Sequence, residues 1–152
     1  MTTAEARPTN DSAVQPALAA IHHVGITVTD LETSAVWYER VFGFRRQFQV
    51  RHFGSDAGGY TIVLGPPDSS FTLGLDHHPA NPGDGFDATR TGLDHLSFAV
   101  ASVDALHAWV AHLHSQDVPN SGVYDMDGFP VSLVTFCDPD GVQLELIASH
   151  GC

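Results

Sequence analysis

Basic residues are scarce in this chain. Lys and Arg together number six among 152 residues, against 18 Asp and Glu, for a formal charge of −12. A polyanion would meet repulsion over most of such a surface, which excludes a role in binding nucleic acid through its phosphates. An anionic small molecule is a different case, because a bound cation reverses the field locally. Cysteine is nearly absent as well. Cys137 and Cys152 form neither a disulfide framework nor a CxxC pair, a usage that fits a reducing cytoplasm. No apolar run is long enough to span a bilayer, so no membrane role is expected. The opening MTTAEARPTNDSAVQPALAA carries Glu5 and two prolines, and it lacks a basic start followed by an apolar stretch. It reads as a flexible tail (1–20) and not as a signal peptide.

What the chain has in excess is histidine. Ten occur, a side chain that both ligates metals and moves protons. With 43% hydrophobic and 16% charged residues the rest is globular in composition, and the length suits one compact domain or two joined half-domains.

Two of the histidines head a repeat. In IHHVGITV (21–28), His23, Gly25 and Thr27 alternate with Val24, Ile26 and Val28. In LDHLSFAV (93–100), His95, Ser97 and Ala99 alternate with Leu96, Phe98 and Val100. The offset of 72 positions also separates Trp37 from Trp109. After the first of these strands, TDLE predicts a helix capped by Thr29 with Glu32 closing a capping box, and Gly43 stops it. Strands are predicted at 44–52, 60–65 and 71–76, parted by GSDAGG and GPPDSS. After the second, Ser102 caps a helix from about Val103, and a Pro/Gly loop (119–130) leads to a strand at 131–137. Asp138-Pro139-Asp140-Gly141 has the composition of a type I turn, and a strand at 142–147 closes the unit. The chain is therefore read as β-α-β-β-β written twice, an α+β fold. Module one spans 21–78, a linker 79–92 and module two 93–148, with 149–152 as a C-terminal tail.

Strand side chains alternate between faces. If the apolar sets pack under their helices, His23 and His95 turn to the opposite faces beside small residues. In the last strand Leu144 and Leu146 throw Glu145 to that same side. Taken singly, a histidine at a strand start or a glutamate on a terminal strand is an ordinary surface residue. Taken together, two imidazoles and a carboxylate facing a shared hollow point to a divalent cation, because an unpaired buried carboxylate is costly. A 2-His-1-carboxylate set leaves positions free for substrate and for dioxygen or water.

The repeated segments HHVGITVTDLETSAVWYERVFGF, GLDHLSFAV and DPDGVQLELI resemble the vicinal oxygen chelate superfamily of glyoxalases, extradiol dioxygenases and bleomycin resistance proteins, over about 21–148. The resemblance implies a cupped mixed sheet around a central cavity, with metal ligands His23, His95 and Glu145. It also implies a small-molecule substrate that chelates the metal through neighbouring oxygens, and a homodimer in which one subunit's first module joins the other's second. The fourth ligand position falls on Gly74, where LGL stands against LEL in the other half. That gap favours an extradiol-type dioxygenase with Fe(II). A glyoxalase-like lyase or isomerase with Ni(II), Zn(II) or Mn(II), and a non-catalytic drug binder, are the alternatives. Two features of extradiol enzymes are missing: Thr135 stands where they have tyrosine, and DSS (68–70) where they have an acid-base histidine. His78, beyond the other end of the same strand, is the candidate acid-base group, with His77 beside it.

The remaining candidates read more plainly. His22 has the opposite parity to His23 and is structural or exposed. Asp76 shares the face of Thr72 and Gly74 but reads first as a solvated turn residue. His107, His112 and His114 form the wet face of a helix. Cys137 is expected to be a small buried hydrophobe. Tyr60, Tyr124 and Phe129 either line the hollow or plug the core.

Overall fold

A computed structural model describes residues 16–54, 57–68 and 71–150. Cys152, the first fifteen residues of the tail and most of the DSS segment lie outside the described residues. The first module runs β1 (His23–Thr27), α1 (Leu31–Phe42), β2 (Arg45–Arg51), β3 (Tyr60–Gly65) and β4 (Thr72–His77). The second runs β5 (His95–Ala99), α2 (Val103–Ser115), β6 (Tyr124–Asp125), β7 (Val131–Cys137) and β8 (Gln143–Ser149). Each forms its own four-stranded sheet, in the orders β1-β4-β3-β2 and β5-β8-β7-β6. The pairs β1/β4 and β5/β8 are parallel and the others antiparallel, so both sheets are mixed, as the duplicated α+β pattern predicts. The short β6 lies inside the segment expected to be a loop, because only Tyr124 and Asp125 pair with β7. Among the described residues no helix is long and apolar enough to cross a membrane.

The alternation holds in both modules. Ile26 and Val28 are buried while His23, Gly25 and Thr27 are exposed, and Leu144, Leu146 and Ala148 are buried in β8. The apolar faces of the two sheets share one core. Phe42 at the end of α1 meets Phe98, Trp109 and Phe136 of module two at ring distances of 5.2, 5.6 and 5.9 Å. Beside these rings, His112 Nε2 donates to the Val41 carbonyl at 2.8 Å, and Arg40 donates to the Gln116 carbonyl at 2.7 Å. His112 is thus not on a wet face as expected; it bridges the helices. Its i+3 position from Trp109 carries it onto the side that packs on α1. His107 and His114 are exposed.

Polar contacts complete the junction. The helix cap is Asp30, not Thr29: the Asp30 carboxylate accepts from the Thr33 N–H at 2.8 Å, and that bond holds its pKa below the ordinary value. Thr29 is engaged elsewhere. Its N–H and hydroxyl both donate to Asp140 Oδ1, at 3.0 and 2.5 Å, and the Ser34 hydroxyl donates to Oδ2 at 3.2 Å. Gly43 closes the helix at φ 67°, a left-handed conformation suited to glycine. Cys137, expected to be buried, is exposed, because it is the last residue of β7 and falls on the side opposite Phe136.

Asp138 is buried in this junction. Its Oδ1 accepts from the backbone N–H groups of Asp140 and Val142 at 2.9 and 2.8 Å, and Oδ2 accepts from the Tyr38 hydroxyl at 3.0 Å. Desolvation raises its pKa above the ordinary 3.8 despite these donors, and burial beside it pushes the Tyr38 phenol strongly upward. The folded chain therefore holds the Asp138 proton to higher pH than the unfolded chain. Stability relative to Asp138→Asn is expected to fall as pH rises from about 3.8 through the folded value, at no more than about 1.4 kcal/mol per pH unit, and then to level off. Urea unfolding of both proteins across the acid range checks the sign. Tyr38→Phe leaves a buried carboxylate oxygen without its donor and is expected to cost about 1–3 kcal/mol by the same measurement.

Candidate metal centre

Because the apolar faces meet at the junction, the faces that carry the candidate ligands turn away from it. In module one the open face has His23, Gly25 and Thr27 on β1. On β4 these pair with Thr72, Gly74 and Asp76. Thr61 and Val63 on β3 continue the face, opposite Asp76 and Gly74. Phe48 and Val50 on β2 rim a hollow of about 300 Å³ over it, lined by module-one residues alone. His22 also lines this hollow, although it has the wrong parity. It precedes β1, so the pleat does not direct it, and its Nδ1 lies 3.0 Å from that of His23. Neither His78 nor Tyr60 is among the lining residues. The His78 ring instead lies 5.0 Å from that of His52, and Tyr60 lies under the Arg51 guanidinium.

In module two His95 pairs with Gln143 and Ser97 with Glu145, which puts His95 and Glu145 diagonally on one face. Glu145 is only 8% exposed on its central strand, and its Oε1 accepts from the Ser97 hydroxyl at 2.6 Å. Thr135, at the position where extradiol enzymes have tyrosine, pairs directly with Glu145 across β7 and β8. His95 Nδ1 lies 2.7 Å from the exposed Asp94 carboxylate. An Nδ1–H donated there leaves the Nε2 lone pair for a metal. Tyr124 and Phe129 are exposed on this module.

One chain does not bring the three candidate ligands together. Among the described residues no group of three or more His, Cys, Asp or Glu gathers tightly enough to hold an ion. His23 belongs to one sheet, and His95 and Glu145 to the other. Each open face thus offers a partial set of imidazole and carboxylate donors, the chemistry that suits a borderline or hard divalent cation. The residues fit such an ion: a carboxylate this deeply buried, with a small hydroxyl as its neighbour, is stabilised by a cation.

Sequence reasoning missed Asp94, His52 and the hydrogen-bonding role of Ser97. Asp94 was legible in principle, since an acid beside a strand-leading histidine is positioned to orient it. His52 was not, because its contacts with Thr61 and Asp76 depend on how β2, β3 and β4 are paired.

The chain is similar to known proteins over most of its length. The family model described as the Glyoxalase/Bleomycin resistance protein/Dioxygenase superfamily matches residues 20–146. The uncharacterized protein YaeR of Escherichia coli (strain K12) is 32% identical over 130 residues, which is 85% of this chain and 95% of YaeR. A glyoxylase/bleomycin resistance protein/dioxygenase domain from Frankia sp. EAN1pec superposes with a TM-score of 0.74 at 28% identity, covering 88% of this chain and 99% of that one. The trypanothione-dependent glyoxalase I of Leishmania major gives 0.62 at 25% identity, covering 86% and 87%.

The Asp94 contact yields a direct test of the module-two donors. Asp94 is exposed, so Asp94→Ala is expected to change stability by less than about 0.5 kcal/mol. Loss of the orienting contact is expected to weaken divalent metal binding about 10-fold, read by isothermal titration with Zn(II).

Proposed function

From the premise that this chain belongs to the Glyoxalase/Bleomycin resistance protein/Dioxygenase superfamily, we propose that it is a divalent-metal-dependent enzyme. Its substrate is a small molecule that chelates the metal through two neighbouring oxygens. Its site forms between two copies: His23 of one chain faces His95 and Glu145 of another. The observation that carries this reading is the buried Glu145 carboxylate beside His95 on an open face, with the third donor exposed on the other module's open face.

Apolar surface supports the pairing. Phe48 is 56% exposed at the rim of the module-one hollow, and Phe129 is 64% exposed on module two. Apolar side chains left in water, one of them at the rim of the module-one half-site, are what a second copy would cover. A non-catalytic drug binder has no use for a carboxylate sunk beside a histidine, and that reading is the weaker one.

When bound, a divalent cation lowers the pKa of a chelated hydroxyl and polarises the adjoining carbonyl. The protein's own residues hold and orient. Asp94 and Ser97 fix the rotamers of His95 and Glu145. Two reactions lie within this chemistry. Glycine at 74, with three protein ligands, favours an oxygen-dependent ring cleavage with Fe(II). The likeness to the Leishmania glyoxalase I favours an oxygen-independent lyase or isomerase with Ni(II), Zn(II) or Mn(II).

Mixed oligomers test the shared site. His23→Ala and Glu145→Ala are each expected to lose metal. Unfolding and refolding them together yields heterodimers with one site carrying both lesions and one intact, so roughly a quarter of the wild-type metal content returns. A mixture that stays metal-free, while sedimentation shows dimers, would overturn assembly across two chains.

A further inference from the structure

Gly74 does not leave its part of the hollow empty. Two residues further along β4 on the same face stands Asp76, flanked by Thr27 on β1 and Thr61 on β3. One carboxylate oxygen is anchored. Oδ1 accepts from the Thr61 hydroxyl at 2.5 Å and lies 3.3 Å from His52 Nε2, which is itself 2.8 Å from Thr61 Oγ1. Since the Thr61 proton goes to Asp76, its oxygen accepts from His52, and the imidazole proton sits on Nε2. The other oxygen leans back along the strand. Oδ2 lies 2.9 Å from where a Cβ on Gly25 would be and 3.5 Å from where one on Gly74 would be. The two glycines form a cradle, and a carboxylate oxygen occupies it. Asp76, His23, Gly25 and Gly74 line the same hollow.

We propose that Asp76 supplies the carboxylate that position 74 lacks, as a fourth protein donor beside His23, His95 and Glu145. Thr61 and His52 are its positioning residues. This rests on the metal-dependent reading above. A relocated carboxylate explains why β1 carries glycine at 25: an alanine there would collide with Oδ2 and drive it out of the hollow. It also gives each module one imidazole and one carboxylate, so that the pair of modules presents two negative charges to a doubly charged ion. Four protein donors and a substrate chelating through two oxygens would leave a cation held here no room for dioxygen. Asp76 therefore selects the oxygen-independent branch, and the substrate class becomes a small molecule with a hydroxyl next to a carbonyl.

Zn(II) titration of the purified full-length protein tests this without any assay of turnover. Asp76→Asn is expected to weaken binding about 10-fold or more, and Gly25→Ala, which removes no donor, to weaken it in the same direction. The double variant Gly74→Glu/Asp76→Asn is expected to recover most of the lost affinity, because the carboxylate is returned by the neighbouring route. Wild-type affinity in Asp76→Asn, while His23→Ala and Glu145→Ala lose the metal, would overturn the role of Asp76 alone. Wild-type affinity in His23→Ala and Glu145→Ala would overturn the metal centre itself. If Asp76→Asn does not fold, Gly25→Ala decides: unchanged affinity in a folded protein overturns the proposal.

Discussion

The turn at Asp138–Gly141 places two carboxylates where module one can reach them, and the relation between the modules follows from what they accept. Asp138 takes the Tyr38 hydroxyl in a buried setting, and Asp140 takes the backbone and hydroxyl of Thr29 and the hydroxyl of Ser34. All of these donors lie on or just before α1. They are directional, and around them the aromatic contacts of Phe42 supply apolar area without direction. The combination holds the helix-bearing side of one module against the other.

That docking has a cost and a use. It buries a carboxylate that desolvation disfavours, in exchange for a fixed orientation. Once the apolar faces are joined, the open faces turn away from the junction, and among the described residues of one chain His23 does not gather with His95 and Glu145. The exposed Phe48 stands at the rim of one of these open faces. Candidate ligands divided between two sheets are a consequence of that packing.

Small residues on the open faces matter as much as the donors. Gly25 and Gly74 form a flat stretch of module one into which the Asp76 carboxylate leans, and Ser97 does the corresponding service for Glu145 in module two. In each case a donor's position is set by a neighbour chosen for what it lacks or for a single hydroxyl. Strand glycines weaken a sheet, so their presence on this face marks a close approach.

The duplicated strand pattern by itself determined the α+β architecture, the helix stop at Gly43, the face on which His23, His95 and Glu145 lie, and the turn at 138–141. These follow from period-two alternation and local turn chemistry, which need no knowledge of distant residues. Contacts over long separations were decided only by the tertiary structure. Asp30 rather than Thr29 caps α1, because Thr29 is bound to a residue 111 positions away. His112 turns inward to a carbonyl 71 positions away, and β6 forms only because β7 is there to pair with it. Asp76 was visible as a member of the right face. That its carboxylate is held by Thr61 and His52 and lies over two glycines depends on strand register and side-chain direction, quantities that a linear pattern does not contain.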